Sequence, residues 1–166
     1  NVFNNYQAKI SIMKIVSYNV NGIRAAIKKG LIDWLKEEEP DILCIQETKA
    51  HPEQINPEIF EEAGYHAYWN SAEKKGYSGV LTLSKIKADH VEAGMGKSLY
   101  DNEGRVIRTD FGDWTLLNCY FPSGSSSEER HEFKMKFIED FGPWANKLLK
   151  KRKKLIIVGD YNIVRL

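Results

Sequence analysis

Asp41-Ile42-Leu43-Cys44-Ile45-Gln46-Glu47-Thr48-Lys49 is the stretch on which the reading of this chain turns. Its apolar part is continuous where a half-exposed strand would alternate, so it reads as a strand buried on both faces. It empties directly into polar residues, with a carboxylate, Glu47, just past the strand. Upstream, Pro40 stops a helix over Gly30–Glu39 whose Leu31, Ile32, Trp34 and Leu35 fall on one face. Lys14–Val20 reads as another strand from its β-branched and aromatic residues, and Asn21-Gly22 closes it with a turn. Downstream, Tyr65–Asn70, Gly79–Ser84, Asp89–Ala93, Val106–Phe111 and Trp114–Phe121 are short strands separated by Gly, Asn and Asp turns, the pattern of an antiparallel meander. Phe133, Phe137, Phe141, Trp144 and Leu148 then mark a helix over Ser127–Arg152, which Pro143 is expected to kink or split. Leu155–Val158 is a last fully apolar strand, and it delivers Gly159-Asp160-Tyr161-Asn162.

At 166 residues the chain is long enough for one domain with a real core, and with 42% hydrophobic and 28% charged residues it is composed like a folded protein. We read residues 1–12 as an N-terminal extension and 13–166 as the domain. A net charge of +1 neither requires nor excludes a nucleic-acid partner, because a whole-chain sum hides local patches. The two cysteines, Cys44 and Cys119, sit inside apolar runs and read as small core residues, not as a disulfide, which points to a reducing, cytoplasmic location. Asn1–Ile12 lacks the basic region and apolar run of a signal peptide, and no stretch reaches the roughly 20 apolar residues a membrane helix needs, so no membrane partner is expected.

The chemistry collects at strand ends. Four apolar strands finish in Tyr18-Asn19, Gln46-Glu47, Tyr120-Phe121-Pro122 and Asp160-Tyr161-Asn162, and if they are neighbours in one sheet their side chains converge on a single edge. Glu47 offers a carboxylate to magnesium, which prefers oxygen ligands and keeps several waters, while Asn19 and Asn162 can bond a ligand or water without adding charge. Asp160 is placed to orient or deprotonate a water, and Tyr120 to donate to a phosphate oxygen as charge builds. Singly, each has a plainer reading: carboxylates and asparagines at strand ends shape turns, and Tyr120 fits an amphipathic core position. The argument rests on their joint occurrence.

The words around these residues resemble the exonuclease III family of abasic-site endonucleases. Six segments match in order: Ser17-Tyr18-Asn19-Val20-Asn21-Gly22-Ile23-Arg24, Ile45-Gln46-Glu47-Thr48-Lys49, Gly76-Tyr77-Ser78-Gly79-Val80, Glu103-Gly104-Arg105, Asn118-Cys119-Tyr120-Phe121-Pro122-Ser123-Gly124 and Gly159-Asp160-Tyr161-Asn162. The resemblance implies an α/β fold, part of a four-layered, deoxyribonuclease I-like sandwich of mixed, mainly antiparallel sheet with flanking helices. It implies a Mg²⁺-dependent DNA repair nuclease, with Mn²⁺ as the alternative metal, acting on double-stranded DNA at abasic sites and 3′ ends. By the same resemblance Asn19 and Glu47 belong to the metal site, and Tyr120, Asp160 and Asn162 are catalytic. Arg24, Lys49, Lys74, Tyr77 and Ser78 lie toward DNA. The basic run Lys150–Lys154 reads instead as cations complementing a helix C-terminus.

In the family a further segment follows the Asp-x-Asn motif and supplies more sheet, more DNA-contacting loops and a late aspartate–histidine pair; nothing after Leu166 corresponds to it. Histidines 51, 66, 90 and 131 match no family motif. The domain is therefore expected to lack its C-terminal portion, to expose an apolar face where that segment packs, and to show weak or no activity alone. Two other readings stay open: a phosphodiesterase of the same superfamily acting on phosphoinositide or sphingomyelin, and a non-catalytic fragment that binds metal or DNA.

Overall fold

A computed structural model describes residues 12–56 and 58–163. Strand β1 (Ile15–Asn19) leads through α1 (Ile23–Lys28) and α2 (Leu31–Glu38) to β2 (Ile42–Gln46). A short 3-10 turn (Pro52–Gln54) and α3 (Glu58–Glu62) precede the hairpin of β3 (His66–Asn70) and β4 (Val80–Ser84). The second half runs β5 (His90–Ala93), α4 (Ser98–Asp101), β6 (Val106–Phe111), β7 (Trp114–Tyr120), α5 (Glu128–Arg152) and β8 (Lys154–Asp160). Two four-stranded sheets result, ordered β1-β2-β4-β3 and β5-β6-β7-β8. Pairing is antiparallel except for β1 with β2 and β7 with β8, whose connections contain helices, as parallel neighbours require.

The continuous apolar strands are explained by burial on both sides. In β2, Leu43 and Ile45 pack with Leu31, Leu35 and Phe60 under the helices, whereas Ile42 and Cys44 meet Phe111 and Leu116 of the opposite sheet. In β7, Leu117 and Cys119 face Phe137, Phe141 and Leu148 of α5. The layers are thus helix, sheet, sheet and helix, the sandwich the sequence motifs imply. Both cysteines are buried and unbridged. Among the described residues no helix is long and apolar enough to cross a membrane.

Three sequence expectations change. The middle strands do not form one meander: β3 and β4 join the first sheet, and only β5, β6 and β7 form an antiparallel meander in the second. The four chemistry-bearing strand ends are likewise split between the sheets, β1 and β2 in one and β7 and β8 in the other. Helix α5 runs unbroken through Pro143, because Phe141, Ala145 and Leu148 remain buried on either side of the one lost backbone bond. Apolar surface is open beside β1, in a groove of about 510 Å³ lined by Val16, Tyr18, Leu31 and Trp34, and on β8 Ile156 is exposed.

A buried polar tie joins the sheets just below the strand ends. Asn118 in β7 is fully buried; its amide oxygen accepts from Gln46 Nε2 at 2.8 Å and its amide nitrogen donates to the Leu81 carbonyl at 2.9 Å. Gln46 also reaches Ser17 Oγ at 3.1 Å, so β1, β2, β4 and β7 meet at this point. Buried amides satisfied this way fix register, and removing one partner leaves the other desolvated and unpaired. Asn118→Leu is expected to lower unfolding stability by about 2–4 kcal/mol in urea titration; a loss within error would show that the tie contributes little.

Candidate active site

The end of β2 is zipped on both sides by backbone bonds. Val20, Gly22 and Ile23 donate their N–H groups to the carbonyls of Gln46, Glu47 and Thr48 at 3.1, 2.8 and 2.9 Å, while Thr48 and Lys49 donate to Gly79 and Ser78 at 3.1 and 2.8 Å. This alignment makes the chain turn sharply: Asn21, Glu47, Lys49 and Ser78 all take left-handed backbone conformations, with φ of 48°, 54°, 49° and 47°. Such residues are uncommon outside glycine and cluster where structure is constrained for function. Gly79 has no alternative, since a Cβ there would lie 2.2 Å from Thr48 Oγ1. On the other sheet, Tyr120 N–H donates to the Arg105 carbonyl at 2.7 Å and Phe121 N–H to the Asp160 carbonyl at 2.8 Å, which ties the tip of β7 to the start of β6 and to the tip of β8.

Across the gap between the sheets the side chains form one hydrogen-bonded set. Glu47 Oε1 accepts from Tyr120 OH at 2.6 Å and from Asn19 Nδ2 at 3.0 Å. The same Asn19 nitrogen donates to Asp160 Oδ2 at 2.8 Å, bridging the two carboxylates. Glu47 Oε2 is met by the Lys49 ammonium at 2.8 Å, and Lys49 also donates to Asn21 Oδ1 at 2.5 Å. Asp160 Oδ1 accepts from Asn162 N–H at 3.0 Å; Asn162, at φ 49°, donates its amide to the Phe121 carbonyl at 2.9 Å, and Lys134 donates to the Asn162 carbonyl at 2.6 Å.

Burial alone pushes the Glu47 carboxyl up, but the bonds from Asn19, Lys49 and Tyr120 outweigh it and hold its pKa below the ordinary value of 4.5. Burial, and then the bond to the Glu47 carboxylate, pushes the Tyr120 phenol well above the ordinary tyrosine range. Glu47 is thereby kept as an acceptor and Tyr120 as a protonated donor.

The structure brings together Asn19, Glu47, Lys49, Tyr120, Asp160 and Asn162. Lys49 stands in the carboxylate site itself, not free on the surface. Arg24 lies apart on α1, exposed, in a cleft of about 620 Å³ that it lines with Lys28, Lys49 and Gly76. Lys74 is exposed and sits 5.3 Å above the Tyr77 ring. Tyr77 is half-buried, its hydroxyl accepting from Arg105 and Arg130 at 3.1 Å each. Ser78 is 1% exposed and props the loop from below. Of the basic run, Lys150, Lys151 and Arg152 lie in the last turn of α5; Arg152 donates to the Gly112 carbonyl at 2.6 Å, and Lys154, on β8, pairs with Asp113, so both tie to the β6–β7 turn. Sequence reasoning gave no role to Asn21, Arg105 or Arg130. Arg105 lies in the Glu103-Gly104-Arg105 motif, whereas nothing in the local sequence singles out Arg130.

Residues 16–165 match the model of the Endonuclease/Exonuclease/phosphatase family. Among curated proteins the chain is similar to the DNA repair nuclease APEX1 of Danio rerio, at 41% identity over 153 residues, covering 91% of this chain and 49% of that protein. It is also similar to an exodeoxyribonuclease of Bacillus subtilis, at 39% identity over 152 residues, covering 91% and 59%. Among solved structures, an AP endonuclease from Archaeoglobus fulgidus superposes with a TM-score of 0.77 at 31% identity, covering 92% of this chain and 58% of that one. The chain thus spans between about half and three fifths of the length of these relatives. By sequence and by fold alike, the chain belongs to the Endonuclease/Exonuclease/phosphatase family.

Proposed function

We propose that this chain carries the phosphodiester-cleaving strand ends of a DNA repair nuclease, acting on duplex DNA at abasic sites and 3′ ends with Mg²⁺ as cofactor. The observation that carries the reading is the joining of Glu47, Asn19, Tyr120 and Asp160, from two sheets, in one hydrogen-bonded set. The names of the relatives, a DNA repair nuclease, an exodeoxyribonuclease and an AP endonuclease, support DNA as substrate.

The donor set fits a hard divalent cation. Glu47 Oε2 has a cation already, the Lys49 ammonium, and Asn19 adds a neutral amide oxygen. Among the described residues no group of three or more His, Cys, Asp or Glu side chains could hold a metal, so an ion here would rest on Glu47, Asn19 and water. When bound, such an ion supplies charge neutralisation at the phosphate. The protein's own groups do the rest. Asp160, held by Asn19 and by Asn162 N–H, takes the proton of the attacking water, and Tyr120, kept protonated, donates to a phosphate oxygen as negative charge builds. Asn162 is itself fixed by the Phe121 carbonyl and by Lys134. Arg24, Lys28 and Lys74 offer cations to the DNA backbone.

On a duplex with one abasic-site analogue, Mg²⁺-dependent nicking is expected that chelator abolishes and Glu47→Ala removes; Asp160→Asn should cost about 10²–10⁴-fold. No nicking by a folded chain would make it a non-catalytic fragment. In calorimetric titration with Mg²⁺, Lys49→Met should raise affinity about three- to tenfold, since a competing cation next to Glu47 is gone; unchanged or weaker binding would place the metal elsewhere. Since the Glu47 pKa is depressed, its carboxylate stays ionised down to its folded pKa, so binding should persist to about pH 4.5 and fall off only below it.

A further inference from the structure

Beneath Tyr120 lies a cluster that the proposed chemistry does not use. Arg105 is 2% exposed, and its guanidinium has a partner in every direction. Its Nε donates to Glu103 Oε2 at 2.6 Å, one terminal nitrogen to the Tyr120 backbone carbonyl at 3.0 Å, and the other to Tyr77 OH at 3.1 Å. The guanidinium carbon also sits 5.0 Å from the Tyr120 ring centroid and 5.8 Å from that of Tyr77. From the first turn of α5, Arg130 donates to both oxygens of Glu103, at 2.8 and 3.0 Å, and to the same Tyr77 hydroxyl at 3.1 Å.

Burying a guanidinium is costly, and a well-packed apolar side chain usually stabilises a core as well or better. What an apolar residue cannot do is hold two aromatic rings and a backbone carbonyl at once with directed bonds. Two guanidiniums share one carboxylate, so Tyr77 is held by its hydroxyl from below while its half-buried ring belongs to the loop 74–78.

We propose that Arg105 is a positioning residue that couples the Tyr77 loop to Tyr120, so that a nucleic-acid strand pressing on Tyr77 is felt at the phenol that faces the phosphate. The ligand's identity rests on the nuclease reading; the coupling is a property of the folded chain. A network of this kind reveals itself as non-additivity between its members.

The test is ¹⁹F NMR of the whole chain labelled with 3-fluorotyrosine, the Tyr120 signal being assigned by its loss in Tyr120→Phe. Tyr77→Phe, which removes only the shared hydroxyl, is expected to shift the Tyr120 signal, and that shift should shrink at least about threefold in an Arg105→Lys background. Glu103→Gln, which loosens the same guanidinium and touches neither ring, should act likewise and serves if Arg105→Lys does not fold. A Tyr120 signal indifferent to Tyr77→Phe, or a shift of equal size with and without Arg105, overturns the proposal. The cycle needs no DNA, so failure to cut DNA would contradict the nuclease reading and leave this result standing.

Discussion

The bond between Asn118 and Gln46 is the contact on which the site depends. One lies in each sheet, both are buried, and each sits just before a residue of the site: Gln46 precedes Glu47, and Asn118 lies two residues before Tyr120. Two apolar sheets pressed together would tolerate sliding, since burial is roughly proportional to area and carries no direction. An amide pair does not, because a displacement leaves donors and acceptors desolvated and unpaired. The tie therefore sets how the strand ends of one sheet stand over those of the other.

Above it, opposing effects are balanced at Glu47. Burial works against the carboxylate, three donors work for it, and the donors win. One of them, Lys49, is a cation carried by a left-handed backbone residue and held between Glu47 and Asn21. Tyr120 has the complementary problem: its phenol is kept protonated by burial and by the carboxylate it bonds, and its ring rests over the buried Arg105 guanidinium. The site thus has one cation beside the carboxylate and another, buried, beneath the phenol.

Much of this was legible in the sequence, for reasons that can be named. Continuous apolar runs such as Ile42–Ile45 appear only where both faces are covered, and the layered sandwich is what covers them. The α2 helix and its stop at Pro40 followed from spacing and a breaker residue. The residues of the carboxylate site were found because strand ends gather polar side chains and because the motifs around them are specific. Less visible was anything set by tertiary contact. Short α1 leaves too few turns for periodicity, the division of strands between two sheets depends on packing, and Pro143 is tolerated because neighbouring aromatic residues are buried. Arg130 acts from a helix whose sequence signal is its apolar stripe, and Ser78, read as facing DNA, is buried at a left-handed backbone turn.

The most direct test of the account is a pH titration of the Glu47 carboxyl by ¹³C NMR, in the wild-type chain and in Asn118→Leu shown to be folded. Asn118 makes no hydrogen bond to Glu47, so the variant can alter it only by loosening one sheet against the other. The account predicts a wild-type pKa below 4.5 that moves back toward that value in the variant. An ordinary pKa in the wild type, or the same depressed value in both, would contradict it.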